Sequence, residues 1–287
     1  MARKPTTKVD IATPKIEEID KILTSKYRLK CKTQKQKTLA NLIKDKEIVF
    51  ATGPAGVGKS YVAIATAIEL IQDSSNKYKK IVLINPAVEA EEKYGFMPGS
   101  LREKLDPFVG SSIDIIDKIV GVGNRIKLEE EGIISVGALG FIRGKSIDNT
   151  ILVMEEAQNM SPHQMKTLLT RIGENTKFII SGDLDQSDRY SDFKQSGLYD
   201  GINKHSNIEQ IGFIEFDESE IVRNPLISLI LDNYKKIVTL NKEIKKVDWN
   251  KSSEGRNIKM IIPLKNNKKK PKFIRKIEIF FKKYFRW

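Results

Sequence analysis

Short apolar runs at residues 48–51, 81–84, 133–136, 151–154, 178–180 and 211–214 recur along the chain, separated by stretches with helical spacing near 61–72, 111–120, 161–172 and 225–237. Unbroken apolar runs of this length fit strands covered on both faces, and their alternation with helical stretches predicts an α/β fold with a parallel sheet flanked by helices. Past residue 240 the pattern stops. Ser252-Ser253-Glu254-Gly255 and Asn266-Asn267-Lys268-Lys269-Lys270-Pro271 read as linker. Beyond them Phe273, Ile277, Phe280, Phe281 and Tyr284 would line one face of a cationic amphipathic helix. That helix suits either docking on its own domain or contact with an outside partner. The expected organisation is a basic N-terminal extension over 1–31, an α/β domain over 32–240, and a linker with a basic tail over 241–287.

The first run leads straight into Gly53-Pro54-Ala55-Gly56-Val57-Gly58-Lys59-Ser60, followed by Tyr61 and a helical stretch. Strand, glycine-rich loop and helix in this order make a phosphate-binding loop. Its glycines let backbone N–H groups wrap phosphates, Lys59 neutralises charge at the β/γ oxygens, Ser60 can ligate Mg²⁺, and the helix start adds its positive dipole end. ATP with Mg²⁺ is the expected ligand pair.

The fourth run ends in Glu155-Glu156-Ala157-Gln158. Two acids at a strand end suit a metal-organising carboxylate, Glu155, and a water-orienting base, Glu156. The fifth run ends in Ser181-Gly182-Asp183-Leu184-Asp185-Gln186. A parallel sheet would bring Asp183 and Gln186 to the same carboxyl edge, where ligands of open α/β sheets gather. Gln186 can sense a γ-phosphate through its amide; a polar turn is the plain alternative. Arg223 has the chemistry of an arginine finger, and a surface arginine is its alternative.

Composition narrows the setting. A single cysteine, Cys31, allows no internal disulfide, and no apolar run reaches the length of a membrane-spanning helix, so a reducing cytoplasm is expected. Net charge is +13, carried by the ends: residues 1–38 hold +7, residues 265–287 hold +9, and the part between them −3. Such ends suit nucleic acid or an anionic membrane surface. A Lys-, Asn- and Ile-rich composition is also what an AT-rich genome produces.

Several stretches, in order, resemble the PhoH family of P-loop ATPases: the loop Gly53-Pro54-Ala55-Gly56, then Pro86-Ala87-Val88-Glu89-Ala90, Gly95-Phe96-Met97-Pro98-Gly99, Lys104-Leu105-Asp106-Pro107, Arg143-Gly144, Glu156-Ala157-Gln158-Asn159, Gln164-Met165-Lys166, Leu169-Thr170-Arg171 and Ser196-Gly197-Leu198. The resemblance covers about residues 32–236. It implies a RecA-like domain akin to the first motor domain of superfamily 1 helicases, with ATPase activity tied to RNA and ring-shaped homo-oligomers such as a hexamer. It also implies an adenine-reading role for Gln36. The sequence departs from the family pattern at Asn85, Glu91, Glu155 and Asn224, where Arg, Gly, Asp and His are usual.

Two functions are expected from these readings. The first is a Mg²⁺-dependent ATP hydrolase acting on or with single-stranded RNA, with helicase-like remodelling. The second is a nucleotide-dependent switch with weak hydrolysis, whose cationic tail binds a membrane surface or a protein partner.

Overall fold

The computed structural model describes residues 16–73, 77–86, 101–137 and 146–222. Its centre is a six-stranded, all-parallel sheet built from β1 (Ile48–Thr52), β2 (Lys80–Ile84), β3 (Ile134–Gly137), β4 (Thr150–Met154), β5 (Lys177–Gly182) and β6 (Ile211–Glu215), in the spatial order β3-β2-β4-β5-β1-β6. Every residue of β1, β4 and β5 is buried, which explains why these strands read as unbroken apolar runs.

The strand period of two divides the core into layers. Val49, Ala51, Ile81, Leu83, Ile151, Val153 and Ile179 pack with helices α1 (Ile16–Ile22), α2 (Gln34–Asp45), α3 (Lys59–Ile71), α4 (Leu101–Val120) and α5 (Val122–Glu130). Phe50, Leu152, Met154, Phe178 and Ile180 pack with α6 (Pro162–Leu169) and α7 (Gly197–His205) on the other face.

The expected strands are all present, and the helices extend the expectation. α4 starts ten residues before the predicted stretch and runs through Pro107 and Gly110, with Val109, Ser112 and Ile116 buried at helical spacing. α1, α2, α5 and α7 add to the predicted set. The stretch predicted at 225–237, the boundary at 240 and the basic tail lie outside the described residues. Part of the basic N-terminal stretch packs on the core: Ile19 and Leu23 are buried within it, each burial contributing about 1.5–3 kcal/mol. No helix among the described residues is long and apolar enough to cross a membrane.

Candidate nucleotide-binding site

Because all strands are parallel, the loops after β1, β4 and β5 emerge at one edge of the sheet. β5 lies between β1 and β4, so the phosphate loop and the acidic turn stand two strand spacings apart, each about 4.8 Å. That gap is of the size of a phosphate group with its ligands.

The loop after β1 needs its glycines. Gly53, Gly56 and Gly58 have φ of 131°, 91° and 92°, a region other residues avoid. At Gly53 a Cβ would also lie 2.4 Å from the carbonyl oxygen of Phe216, which closes the back of the loop through its own N–H to Thr52 O at 2.8 Å. Pro54, Ala55 and Val57 complete the turn, and Gly58 in left-handed conformation caps α3. Lys59, the first residue of α3, places Nζ at 2.5 Å from Gly53 O and 2.9 Å from Pro54 O, at the mouth of the loop. Ser60 follows at the helix N-terminus, and Tyr61 is exposed with its hydroxyl 2.9 Å from that of Tyr27.

Gln36 sits behind this loop, buried on α2. Its Nε2 donates to Val57 O at 2.8 Å, and its Oε1 accepts the Lys32 N–H at 2.8 Å. A Cβ at Gly58 would come within 2.7 Å of that same Nε2. Both amide atoms of Gln36 thus hold main chain, one of them the phosphate loop.

At the end of β4, Glu155 is buried and Glu156 is exposed. The Glu155 carboxylate accepts a hydrogen bond at Oε2 from Ser112, a buried hydroxyl on α4. Glu156 has φ of 53°, a left-handed backbone that costs a side-chain-bearing residue roughly 1–2 kcal/mol. The turn throws the two adjacent carboxylates in different directions. Gln158 then fixes Glu156: fully buried, it donates from Nε2 to Glu156 Oε2 at 2.6 Å and accepts the Asp183 N–H at Oε1, 3.1 Å away. Gly182 makes room, since a Cβ there would stand 2.5 Å from Gln158 Oε1.

Asp183 therefore joins the loop after β5 to the acidic turn. Burial pushes its carboxyl above the usual range, while the nearby Lys59 ammonium pulls it down and Glu156 pushes it up. Lys59 and Glu156 thus both lie near enough for their charges to act on the Asp183 carboxyl. Gln186 is exposed on the turn beside Asp183, its N–H bonded to Asp183 O at 3.1 Å. Arg223 lies outside the described residues, but Val222 before it donates to Gly56 O at 3.2 Å, anchoring the chain on the phosphate loop.

Sequence reading found the loop and both acids. It gave no role to Gln158 and did not find Ser112, whose contact with Glu155 spans 43 positions. The signal for Gln158 was present: a polar residue two after Glu156, with a glycine at the end of the next strand.

Residues 28–235 match the family model described as "PhoH-like protein". The chain belongs to the PhoH-like family. A PhoH-like protein of Bacillus subtilis is 39% identical over 220 residues, covering 77% of this chain and 68% of the relative. One from Synechocystis is 33% identical, over 72% of this chain and 62% of the relative. Protein PhoH of Escherichia coli is 31% identical, covering 67% of this chain and 54% of its own length. This PhoH-like chain thus spans between about half and two thirds of these relatives. Among solved structures, the UvsW helicase of bacteriophage T4 aligns over 71% of this chain and 68% of that one at 13% identity, with a TM-score of 0.37.

The edge just described is the candidate nucleotide site of this PhoH-like chain. Its residues fit a nucleoside triphosphate: the cradle is lined by glycines with positive φ, an ammonium stands at its mouth, and a helix begins beneath it.

Proposed function

We propose that the chain is a Mg²⁺-dependent ATP hydrolase that acts on or with RNA, as a homo-oligomer. The observation that carries the hydrolase reading is the convergence of Lys59, Glu156 and Asp183 at the edge between β1 and β4, with Gln158 holding Glu156 in place. In this reading the loop N–H groups of 53–60 and the Lys59 ammonium bind the phosphates. Ser60 and Glu155 would hold Mg²⁺, which supplies charge neutralisation on the phosphate oxygens. Glu155 is suited to this because Ser112 engages one carboxylate oxygen and leaves the other for a metal-bound water.

Glu156 orients the attacking water and accepts its proton, a role that needs a carboxylate fixed within hydrogen-bond reach. Gln158 supplies the fixing. Gln186 senses the γ-phosphate, and Arg223 stabilises charge on the phosphoryl group as it transfers. RNA rests on the family and on the basic ends of the chain. Single-turnover hydrolysis with and without single-stranded RNA tests the whole reading: RNA should change the rate, and a rate indifferent to RNA would confine the proposal to ATP.

The switch reading draws on the Ser112–Glu155 hydrogen bond, which ties the metal-organising carboxylate to α4 and gives that helix a way to report site occupancy. Tight ATP retention with negligible turnover would favour it.

A further inference from the structure

Between α1 and α2 the chain runs Lys26-Tyr27-Arg28-Leu29-Lys30-Cys31-Lys32, a strict alternation of cation and apolar or aromatic residue. The alternation is realised in space. Tyr27, Leu29 and Cys31 are half-buried against the core beneath α3, while Lys26, Arg28, Lys30 and Lys32 are exposed. None of the four cations is in an ion pair among the described residues. Two nearby cations are different: Lys35 pairs with Asp217 and Lys44 with Glu69.

The segment is a fixed strap. Tyr27 N–H donates to Gln72 Oε1 at 3.1 Å, Leu29 N–H to Glu69 Oε1 at 2.5 Å, and Gln72 Nε2 to Ser25 O at 3.1 Å. The Tyr27 and Tyr61 hydroxyls meet at 2.9 Å. At its far end Lys32 N–H bonds Gln36, whose Nε2 bonds the phosphate loop at Val57. The strap therefore runs along α3 and finishes at the nucleotide site.

We propose that Lys26, Arg28, Lys30 and Lys32 form a track for the phosphates of a single-stranded nucleic acid. The proposal rests on the nucleic-acid part of the function proposed above and assigns it a surface other than the basic tail. In an extended chain every second residue is about 6.6 Å further on, close to the separation of successive phosphates on an extended single strand. Backbone already ordered by hydrogen bonds to α3 loses little further freedom when a polyanion lies on it. Arg28 adds a planar fork suited to phosphate. A membrane surface is the weaker fit, because an interfacial segment presents apolar residues on its outward side. Here Tyr27, Leu29 and Cys31 point inward.

The test uses the full chain with Lys26→Gln, Arg28→Gln and Lys30→Gln combined, sparing Lys32 because its N–H holds Gln36. Binding of a fluorescent oligouridylate is measured by anisotropy over a range of salt concentrations. Three lost phosphate contacts should flatten the slope of log K against log salt by about 2, at about 0.7 per contact on single strands. These three side chains are exposed and hold no ion pair among the described residues, so melting temperature and RNA-free ATP hydrolysis should stay at wild-type values. Lys26→Arg, Arg28→Lys and Lys30→Arg combined should keep the slope. If wild type binds oligouridylate and the glutamine variant keeps its full slope, the track is overturned while the RNA reading stands. If wild type does not bind it, the RNA reading fails and the track with it. A glutamine variant that keeps its RNA slope but no longer sediments with phosphatidylserine vesicles would make the strap a membrane contact and overturn the proposal.

Discussion

Two lysines, one half-buried and one almost fully buried, stand at opposite edges of the sheet and make the same kind of contact. Lys59, at the carboxyl edge, donates to the carbonyls of Gly53 and Pro54. Lys177, at the amino end of β5 and almost fully buried, donates to the carbonyls of Lys46 and Lys44 where α2 ends. The difference lies in what surrounds them. Around Lys59 the backbone is glycine at positive φ, a helix begins, and Asp183 carries its charge nearby. Around Lys177 a helix ends, and its last carbonyls are the groups that need a donor. A lysine bonded to main-chain carbonyls suits a binding group where the neighbouring backbone is glycine at positive φ and a helix begins, and a cap where the carbonyls would otherwise be orphaned.

Breaking the comparison at its functional end should give the largest effect. Lys59→Ala should remove ATP hydrolysis, because the ammonium is the principal side-chain charge at the loop mouth; turnover at wild-type rate would displace the site. Next is Gln158→Leu, which leaves Glu156 unheld in its left-handed turn. A misplaced base loses about 100-fold in hydrolysis, and ATP affinity should be nearly unchanged. Equal losses in affinity and rate would make Gln158 a packing residue only.

Gln36→Ala sharpens the role of the residue behind the loop. If Gln36 sets the loop through Val57, binding of ATP, GTP and inorganic tripolyphosphate should weaken together, severalfold. If it reads adenine, only the preference for ATP over GTP should fall, and tripolyphosphate should bind as before. Competition against a fluorescent nucleotide measures all three.

The smallest effect is expected at the other lysine. Burial lowers the Lys177 ammonium to about pKa 8, with Glu47 and Asp45 partly offsetting the shift and Lys77 adding to it. Between pH 8 and the ordinary lysine range the unfolded chain then binds more protons than the folded one, so this group makes stability rise with pH over that window. Lys177→Met should lose that increment while leaving hydrolysis by the folded protein unchanged. Denaturant unfolding of both proteins at pH 7, 8.5 and 10 reads the difference; parallel pH profiles would remove Lys177 as its source.

The same contrast explains what could be read in advance. The strands were legible because β1, β4 and β5 are buried on both faces and leave no polar residue to interrupt the run. The phosphate loop and the acid pair were legible because each is contiguous in sequence. α7 was hidden by Gly197 and Gly201, which weaken helix propensity but let α7 approach Ser161 and Phe50 closely. The first half of α4 was hidden by Pro107 and Gly110, residues that usually interrupt a helix. Gln158, Ser112 and the Nε2 end of Gln36 act across the fold, through contacts between residues far apart in sequence.

The proposed role of Glu156 as the base of an ATP-hydrolysing site is tested by Glu156→Gln under single-turnover conditions, with bound ATP and released phosphate followed in the same sample. The variant should bind ATP as wild type does and release phosphate about 100-fold or more slowly, within the range a positioned base contributes. Phosphate release at the wild-type rate from fully bound ATP would contradict it.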